Sequence, residues 1–462
     1  MGRITNALTA GARVVLAGIF GIIVRVFYAV EIHGLEHDAR APHTYYVLSH
    51  KRDIDPIILV PPLLRHRGWR ALAGGVRFAM RADAFSPGFL ARLLGPTPLA
   101  WALRPLALGG IVRGLGALPI ESLQRPTEEW LRDTLRLDGD GPAGDALSPR
   151  ALEQLAAASG ERASAVAAKP LSALFAWRYL AELRTLRGPD MLAGARRHNA
   201  RRHVLAAVRA QLGALSAALR TYGSLLGAPE GGLSPDGRVR PIAGGLHRIL
   251  RDAPADTRVQ PVVIVYDFMR TGRPRVFIDL APPLPDAVTL PGRLLHAELR
   301  RTWLAAMRFT CTQLATGYLV WAAETSHGEF TLAEMAVAVR RLALALATAG
   351  RHVDAALLSH RAAHRAVARY LAYAQRHGLV RHAKHGRWLA IPRDLTIQPQ
   401  TQLGQAAYAS QPLAYAWNEL LDLLGTGRWA ASHENSASHT AVGDDWLQWI
   451  QQQRVPIALH AR

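Results

Sequence analysis

Two residues with complementary acid–base chemistry, His50 and Asp55, lie five positions apart in the segment Ser49-His50-Lys51-Arg52-Asp53-Ile54-Asp55-Pro56. A neutral imidazole that is held by a carboxylate is a general base and can take a proton from a hydroxyl group. The segment therefore predicts a reaction in which an alcohol attacks an electrophile. The pair alone is a weak indication, because a surface turn can carry the same two residues.

The elements around this pair predict how the two side chains meet. Residues 45–48, Tyr-Tyr-Val-Leu, form an apolar run that is typical of a buried strand. Pro56 is typical of the first residue of a helix, which would make Asp55 the N-cap. We therefore expect a strand-to-helix turn at the open end of a sheet, where α/β folds bind their ligands.

Strand and helix patterns alternate up to about residue 290 and predict an α/β fold. The predicted strands include residues 30–34, 72–80, 259–266 and 276–280; the predicted helices include residues 56–65, 204–222, 331–349 and 353–375. From about residue 124 to residue 200 the chain is rich in alanine, arginine, glycine and acidic turns, which predicts a helical insertion. We predict three parts: an N-terminal membrane-associated helix (1–35), an α/β domain (36–293) and a mostly helical C-terminal region (294–462).

The composition says more about the possible binding partners of the protein than about the reaction it performs. The chain has 462 residues and a formal net charge of +20, and all but three of its 55 basic residues are arginine. The arginine bias is typical of a GC-rich genome, but the net charge still predicts attraction to polyanions. We favour anionic membrane lipid over nucleic acid, because aromatic residues do not alternate with the basic ones. The single cysteine, Cys311, excludes an internal disulfide and is typical of a reducing cytosol.

Residues 14–30 are apolar apart from Arg25 and show no cleavage site of a signal peptide. Seventeen residues are at the lower limit for crossing a bilayer. A helix that lies in one leaflet, with Arg3, Arg13 and Arg25 at the headgroups, fits equally well, and a buried core helix is the third alternative. We expect the protein at the cytoplasmic face of the cell membrane, a bacterial inner membrane, as a monotopic protein or with a single N-terminal anchor.

Four blocks of sequence give the pair a wider context. They are His50 with Asp55; Gly116-Ala117-Leu118-Pro119-Ile120; Pro229-Glu230-Gly231-Gly232, continued by Gly237 and residues 238–245; and Gln260-Pro261-Val262-Val263-Ile264. In type and order they resemble the motifs of the glycerolipid acyltransferase superfamily. The resemblance covers about residues 30 to 290 without the insertion. The third block and residues 263–267 and 414–421 are more similar to the glycerol-3-phosphate acyltransferase branch than to the lysophosphatidate branch.

The resemblance implies an acyltransferase domain with a mixed, mainly parallel sheet flanked by helices. It implies transfer of a fatty acyl group from acyl-CoA or acyl-carrier protein to a hydroxyl of glycerol-3-phosphate in phospholipid biosynthesis, without a cofactor. His50 would be the general base, and Asp55 would fix its tautomer and stabilise the imidazolium. The residues that we expect to bind substrate are Lys51, Arg52, Gly116, Arg125, Glu230, Gly231, Gly232 and Arg238.

Two departures from the family pattern leave the acceptor open. Ser122 and Leu233 occupy positions where the family has an arginine to hold the acceptor's phosphate, a task that suits the bidentate guanidinium. Arg125, Arg238 and Arg240 are close in sequence and could replace them. The alternatives are therefore a 1-acylglycerol-3-phosphate acyltransferase, an enzyme with a non-standard acceptor, and a catalytically degenerate lipid-binding relative.

Glu230 also has more than one interpretation. It could bind an acceptor hydroxyl, order the cationic clamp or be an ordinary loop glutamate, and Gly231 and Gly232 would let the backbone approach a ligand closely.

Residues 362–391 have a rival interpretation. A helix that precedes two short strand-like segments is typical of a winged-helix module, and the basic charge would suit DNA phosphates. We favour a helical accessory region of the acyltransferase branch. His360, His364 and His377 lie among arginine-rich helices without cysteines or paired carboxylates, so we predict no metal site.

Overall fold

The computed structural model of the protein describes residues 15, 18–19, 21–38, 41–52, 54–67, 76–85, 109–114, 116–120, 126–186, 188–325, 328–393, 395, 410–425, 446 and 449–450. The chain divides into two compact units. The first contains Met1–Arg77, Leu219–Gln398 and Leu403–Arg462, and the second contains Phe78–Ala218 and Pro399–Gln402. Each unit is described separately.

The described residues form strands and helices that we number in chain order. The strands are β1 Ala29–His33, β2 Thr44–Leu48, β3 Arg77–Arg81, β4 Ala117–Ile120, β5 Ser224–Gly227, β6 Arg258–Asp267, β7 Arg275–Leu280, β8 Glu329–Phe330, β9 Val380–His382 and β10 Trp388–Ala390. The helices are α1 Asp55–Arg67, α2 Gly109–Gly114, α3 Thr127–Asp138, α4 Ala143–Ala146, α5 Pro149–Ser159, α6 Ala163–Ala167, α7 Trp177–Thr185, α8 Gly194–Tyr222, α9 Gly245–Arg251, α10 Gly292–Ala306, α11 Cys311–Glu324, α12 Leu332–Thr348, α13 His360–Arg376 and α14 Pro412–Leu424.

The first unit is built on five strands in the order β1-β7-β6-β2-β5. Strands β6 and β7 are antiparallel, and the other neighbouring pairs are parallel. Every residue of β2 is buried, and in β6 only Arg258 is exposed. Such continuous burial is typical of strands that are covered on both faces. The predicted α/β class with a mixed, mainly parallel sheet is confirmed.

Helix α10 covers the central strand β2. The indole Nε1 of Trp303, which is fully buried, donates a hydrogen bond of 3.2 Å to the carbonyl oxygen of Val47. β2 ends one residue later, at Leu48, so His50 follows almost directly at its carboxyl end. A rigid, buried strand therefore carries the turn that holds the predicted catalytic pair.

Several predicted helix starts are wrong, and the largest difference is at α8, which begins at Gly194 rather than at residue 204. Helix α1 begins at Asp55 itself rather than after it. The helix predicted from residue 353 begins only at His360, because Asp354 starts a separate 3₁₀ turn, Ala355–Leu357. The Asp354 carboxylate accepts a hydrogen bond of 3.0 Å from the Ala356 N–H and pairs with Arg275, which fixes the backbone of this turn outside the helix.

The second unit contains the parallel pair β3–β4 and the helices α2 to α7, and α8 runs through its end. Helices α3 to α8 share a hydrophobic core that includes Trp130, Leu155, Val166, Tyr179 and Val204. Residues in the predicted insertion thus bury their own apolar surface. The predicted boundaries of the insertion and of the three domains stay predictions.

The N-terminal apolar stretch is helical at residues 21–27. Val24 is buried there, whereas Ile22, Ile23, Val26 and Phe27 are exposed. Among the described residues, none of the helices combines the length and the apolar character that crossing a bilayer requires. The predicted N-terminal membrane helix stays a prediction.

Candidate active site

The turn after β2 brings the two predicted catalytic residues together. The Nδ1 atom of His50 lies 3.1 Å from the Oδ2 atom of Asp55. The Asp55 side chain is fully buried, whereas the His50 side chain is 15% exposed. A neutral imidazole that donates its Nδ1 proton to a carboxylate carries its lone pair on Nε2. This is the tautomer that a general base needs.

Asp55 is held in place by donors from two elements. Its Oδ2 atom accepts hydrogen bonds from the backbone N–H groups of Lys51, at 2.7 Å, and Arg52, at 2.8 Å. Its Oδ1 atom accepts a hydrogen bond from the hydroxyl of Tyr266 in β6. The carboxylate therefore binds amides of the turn that precedes α1, which corrects the prediction that it caps the helix. Because these bonds oppose its rotation, Asp55 can fix the orientation of the imidazole.

Glu230 connects the His50 turn to the loop after β5. Its Oε2 atom accepts a hydrogen bond of 2.6 Å from the backbone N–H of His50, and its Oε1 atom accepts one of 3.0 Å from the N–H of Arg240. Burial raises the pKa of Glu230 above its ordinary value, although the two amide donors and Lys51 oppose the rise. Both carboxylate oxygens are thus engaged in positioning the backbone on either side of the site.

Ser234 makes a second connection between the same two segments. Its backbone N–H donates a hydrogen bond of 3.2 Å to the carbonyl oxygen of His50. Its hydroxyl donates to the carbonyl oxygen of Arg238, at 2.7 Å, and accepts from the N–H of Gly237, at 3.0 Å. The backbone of His50 is therefore held on both its N–H and its carbonyl side by the loop after β5.

Lys51 links the turn that carries His50 and Asp55 to helix α14. Its ammonium donates a hydrogen bond of 2.6 Å to the carbonyl oxygen of Gly237 and lies 3.3 Å from Oε1 of Glu419. The other oxygen of Glu419 accepts a hydrogen bond of 2.8 Å from Gln313 in α11. Burial alone would lower the pKa of Lys51, but Glu419 and further acidic neighbours outweigh it and raise the pKa above its ordinary value.

Arg52 is buried beside the His50–Asp55 pair. Its guanidinium carbon lies 4.0 Å from the ring centroid of Tyr266 and 5.4 Å from that of Phe268. Cation–π contacts of this kind hold a guanidinium in a fixed place. Lys51 and Arg52 are both predicted substrate ligands, and their cations lie inside the protein. That role stays a prediction.

The loop after β5 places Arg240, not residue 233, at the edge of the site. The Leu233 side chain is buried, and its carbonyl oxygen accepts a hydrogen bond of 3.2 Å from the Arg240 guanidinium. A Cβ atom on Gly232 would lie 2.7 Å from Nη1 of Arg240, so glycine leaves the room that this guanidinium occupies. Arg240 thus brings a cation to the backbone of residue 233, whose own side chain is apolar.

The remaining predicted ligands are distributed more widely. Gly231 adopts a φ of 68°, which favours glycine, in the same loop. Arg238 is exposed, and its guanidinium lies 3.4 Å from Oδ1 of Asn418 in α14. Gly116 precedes β4 in the second unit, with a φ of 103°. Arg125 and Ser122 lie outside the described residues. Within the described part of the chain, no group of three potential metal ligands is found.

Three residues that hold the site were not predicted from the sequence: Tyr266, Ser234 and Glu419. Tyr266 and Glu419 had a visible indication, because each places a polar group in an apolar buried element, β6 or α14, where it needs a partner. Ser234 had none, since a serine in a polar loop is ordinary.

No family model matches the chain, and no curated protein matches it at a significant level.

Proposed function

We propose that the protein is an acyltransferase that moves an acyl group from a thioester to an alcohol. The observation that carries the proposal is the His50–Asp55 pair, 3.1 Å apart at the carboxyl end of β2. The partial exposure of His50 beside a fully buried Asp55 supports it, because substrate must reach the imidazole whereas its orienting carboxylate need not be accessible.

The particular reaction that we propose is acylation of glycerol-3-phosphate, with acyl-CoA or acyl-carrier protein as donor. His50 removes the proton of the acceptor hydroxyl, and the hydroxyl oxygen attacks the thioester carbonyl. The carbon–sulfur bond then breaks, and the imidazolium returns the proton to the departing thiolate. Asp55 stabilises the imidazolium between these two steps.

The acceptor's phosphate needs a cation, and two arginines support this part of the proposal. Arg240 lies on the loop that also holds the backbone of His50, and Arg238 is exposed two residues before it. A guanidinium can bind phosphate through two parallel hydrogen bonds. Because Leu233 is buried, the clamp that we propose uses Arg240 and Arg238.

A membrane location fits the same proposal, since the product of the reaction is a lipid. The exposed apolar side chains of residues 22–27 support it, because a helix with one apolar face can lie in a leaflet. We propose a monotopic enzyme or one with a single N-terminal anchor, at the cytoplasmic face of the membrane.

The acceptor can be tested with the purified full chain, an acyl thioester and two candidate acceptor alcohols. Radiolabelled glycerol-3-phosphate and lysophosphatidate are offered separately, and thioester hydrolysis without acceptor is subtracted. The proposal predicts turnover with glycerol-3-phosphate and a raised KM in Arg240→Gln. Turnover with lysophosphatidate but not with glycerol-3-phosphate would contradict the proposed acceptor and favour the 1-acylglycerol-3-phosphate acyltransferase alternative.

A catalytically degenerate lipid-binding relative is the second candidate, favoured by the buried Leu233 where the family pattern has a cation. Absence of thioester-dependent turnover with every acceptor offered, by a chain that still binds lipid, would favour this candidate.

A further inference from the structure

The C-terminal part of the first unit contains a helix with one strongly basic face. Helix α13 buries Ala363, Val367, Tyr370, Leu371 and Ala374 against its neighbours. Its other face carries four exposed arginines, Arg361, Arg365, Arg369 and Arg376. We call these four residues the α13 arginine stripe. At about 100° per residue they fall within an arc of about 80°, and they extend over about 22 Å of the helix.

The charge of the stripe is not compensated locally. The sequence has no aspartate or glutamate between residues 355 and 393. Within the part of the chain that the structure describes, none of the four side chains makes an ion pair. Exposed cations without carboxylate partners produce a positive field, which attracts a negatively charged surface.

One loop, residues 271–273, contacts both helix α13 and the helical segment 21–27 that carries the exposed apolar side chains. The guanidinium of Arg273 donates a hydrogen bond of 2.6 Å to the carbonyl oxygen of Arg25, in the helical segment 21–27. The N–H of Thr271 donates one of 3.1 Å to the carbonyl oxygen of Arg369. Two residues of backbone span at most about 7 Å, so one short loop contacts both elements. The loop itself is exposed at Gly272 and Arg273.

We propose that the α13 arginine stripe binds the headgroups of anionic lipids while the apolar side chains of residues 22–27 enter the same leaflet. A single shallow apolar element binds a membrane reversibly, and a neighbouring polybasic surface supplies the second contribution that stable anchoring requires. The inference rests on the membrane association proposed above but not on the acyl-transfer chemistry.

The neighbouring apolar face also favours a bilayer over nucleic acid. DNA phosphates would be attracted to the stripe as well. They would leave the side chains of Ile22, Val26 and Phe27 in water, whereas a bilayer covers these side chains and the arginines together. The occupant that satisfies both surfaces is therefore an anionic membrane.

The experiment compares the full chain with two charge-matched variants. The first carries Gln in place of the four arginines of the stripe. The control carries Gln in place of Arg150, Arg162, Arg202 and Arg209, which are exposed in the second unit and make no ion pair with a described residue. Both variants lose the same charge, and glutamine preserves helix propensity. Co-sedimentation is measured with phosphatidylcholine vesicles, with and without phosphatidylglycerol.

The stripe variant is expected to bind vesicles with phosphatidylglycerol about fivefold less tightly per arginine removed, and several-hundred-fold less tightly in total. Its binding to pure phosphatidylcholine should equal that of the wild type, and the control variant should lose far less. Equal losses in both variants, or no loss in the stripe variant, would overturn the proposal. The proposal would also fail if the stripe variant bound vesicles like the wild type but retained a DNA duplex less well. Acyl transfer assayed in detergent micelles separates this failure from a failure of the proposed reaction, because the stripe variant should keep that activity.

Discussion

The buried ion pair between Lys51 and Glu419 allows a sharp test of how the site is held. Both side chains are only 4% exposed, and their charged atoms lie 3.3 Å apart. Removing one partner of such a pair leaves an uncompensated buried charge, which costs about 3–5 kcal/mol. Glu419→Gln keeps the shape and an oxygen acceptor, so we expect the lower end, about 3 kcal/mol.

The substitution should also affect catalysis, because the backbone N–H of Lys51 donates to Asp55. A displaced Lys51 moves the carboxylate that orients His50, and small displacements of a catalytic group cost roughly tenfold or more in rate. The loss should appear in kcat, with KM for the thioester little changed, since Glu419 is not placed near substrate.

The measurement is urea unfolding of the wild type, Glu419→Gln and a control, Glu298→Gln. Glu298 pairs with Arg301 at the surface, where the two side chains are 33% and 70% exposed. A surface pair of this kind contributes at most about 1 kcal/mol.

Alkaline pH adds a second readout for the same pair. The raised pKa of Lys51 means that the native chain loses stability as the pH rises above the ordinary value of 10.5. Glu419→Gln should show less of this loss, since the carboxylate that opposes the effect of burial is gone. Equal unfolding costs for the two variants, with kcat unchanged in Glu419→Gln, would refute the reasoning.

Three further changes test other contacts of the site. Tyr266→Phe removes the hydroxyl that donates a hydrogen bond to Asp55. The free energy of unfolding should fall by about 1.5–3 kcal/mol, and kcat should fall as well. An unchanged kcat would show that Asp55 does not need this donor. Gly237→Ala places a Cβ atom against the Tyr415 carbonyl oxygen, at a position whose φ is 93°, so Tm should fall. The control Gly213→Ala in α8 has open space around the added Cβ atom and should not lower Tm. Burial raises the pKa of Glu230, so between its ordinary value of 4.5 and its folded pKa this side chain holds its proton more in the native than in the unfolded state, and its contribution to stability falls as the pH rises through that range. Glu230→Gln should remove this contribution, measured by urea unfolding at a series of pH values from 4.5 upward.

The pattern of apolar runs was enough to predict the α/β class, because each central strand is buried on both faces. Residues 45–48 are apolar throughout and residues 259–266 are apolar apart from Gln260, and they form β2 and most of β6. The approach of His50 to Asp55 also followed from local sequence, since a short turn after a strand brings residues five apart into contact. These predictions depend on neighbours along the chain.

The support of the site could not be predicted in the same way, because it is made by distant segments. Glu230 is 180 residues from His50, and Tyr266 is 211 residues from Asp55. Which polar side chain reaches which amide depends on how the strands are ordered in the sheet. The boundary of α13 was missed for a similar reason, since the Asp354–Arg275 pair that fixes the preceding turn joins residues that are far apart in sequence.

The central claim, that His50 is the base of an acyl transfer, is tested most directly by replacing it beside a matched histidine. His43 forms a similar contact with Asp256, at 2.9 Å, but near the surface and at the amino end of β2, opposite to the end that His50 follows. Steady-state transfer from an acyl thioester to glycerol-3-phosphate is measured for His50→Ala and His43→Ala. A general base contributes about 10²- to 10⁴-fold, so kcat of His50→Ala should fall by that factor, while His43→Ala stays at the wild-type rate. Wild-type turnover by His50→Ala would contradict the claim.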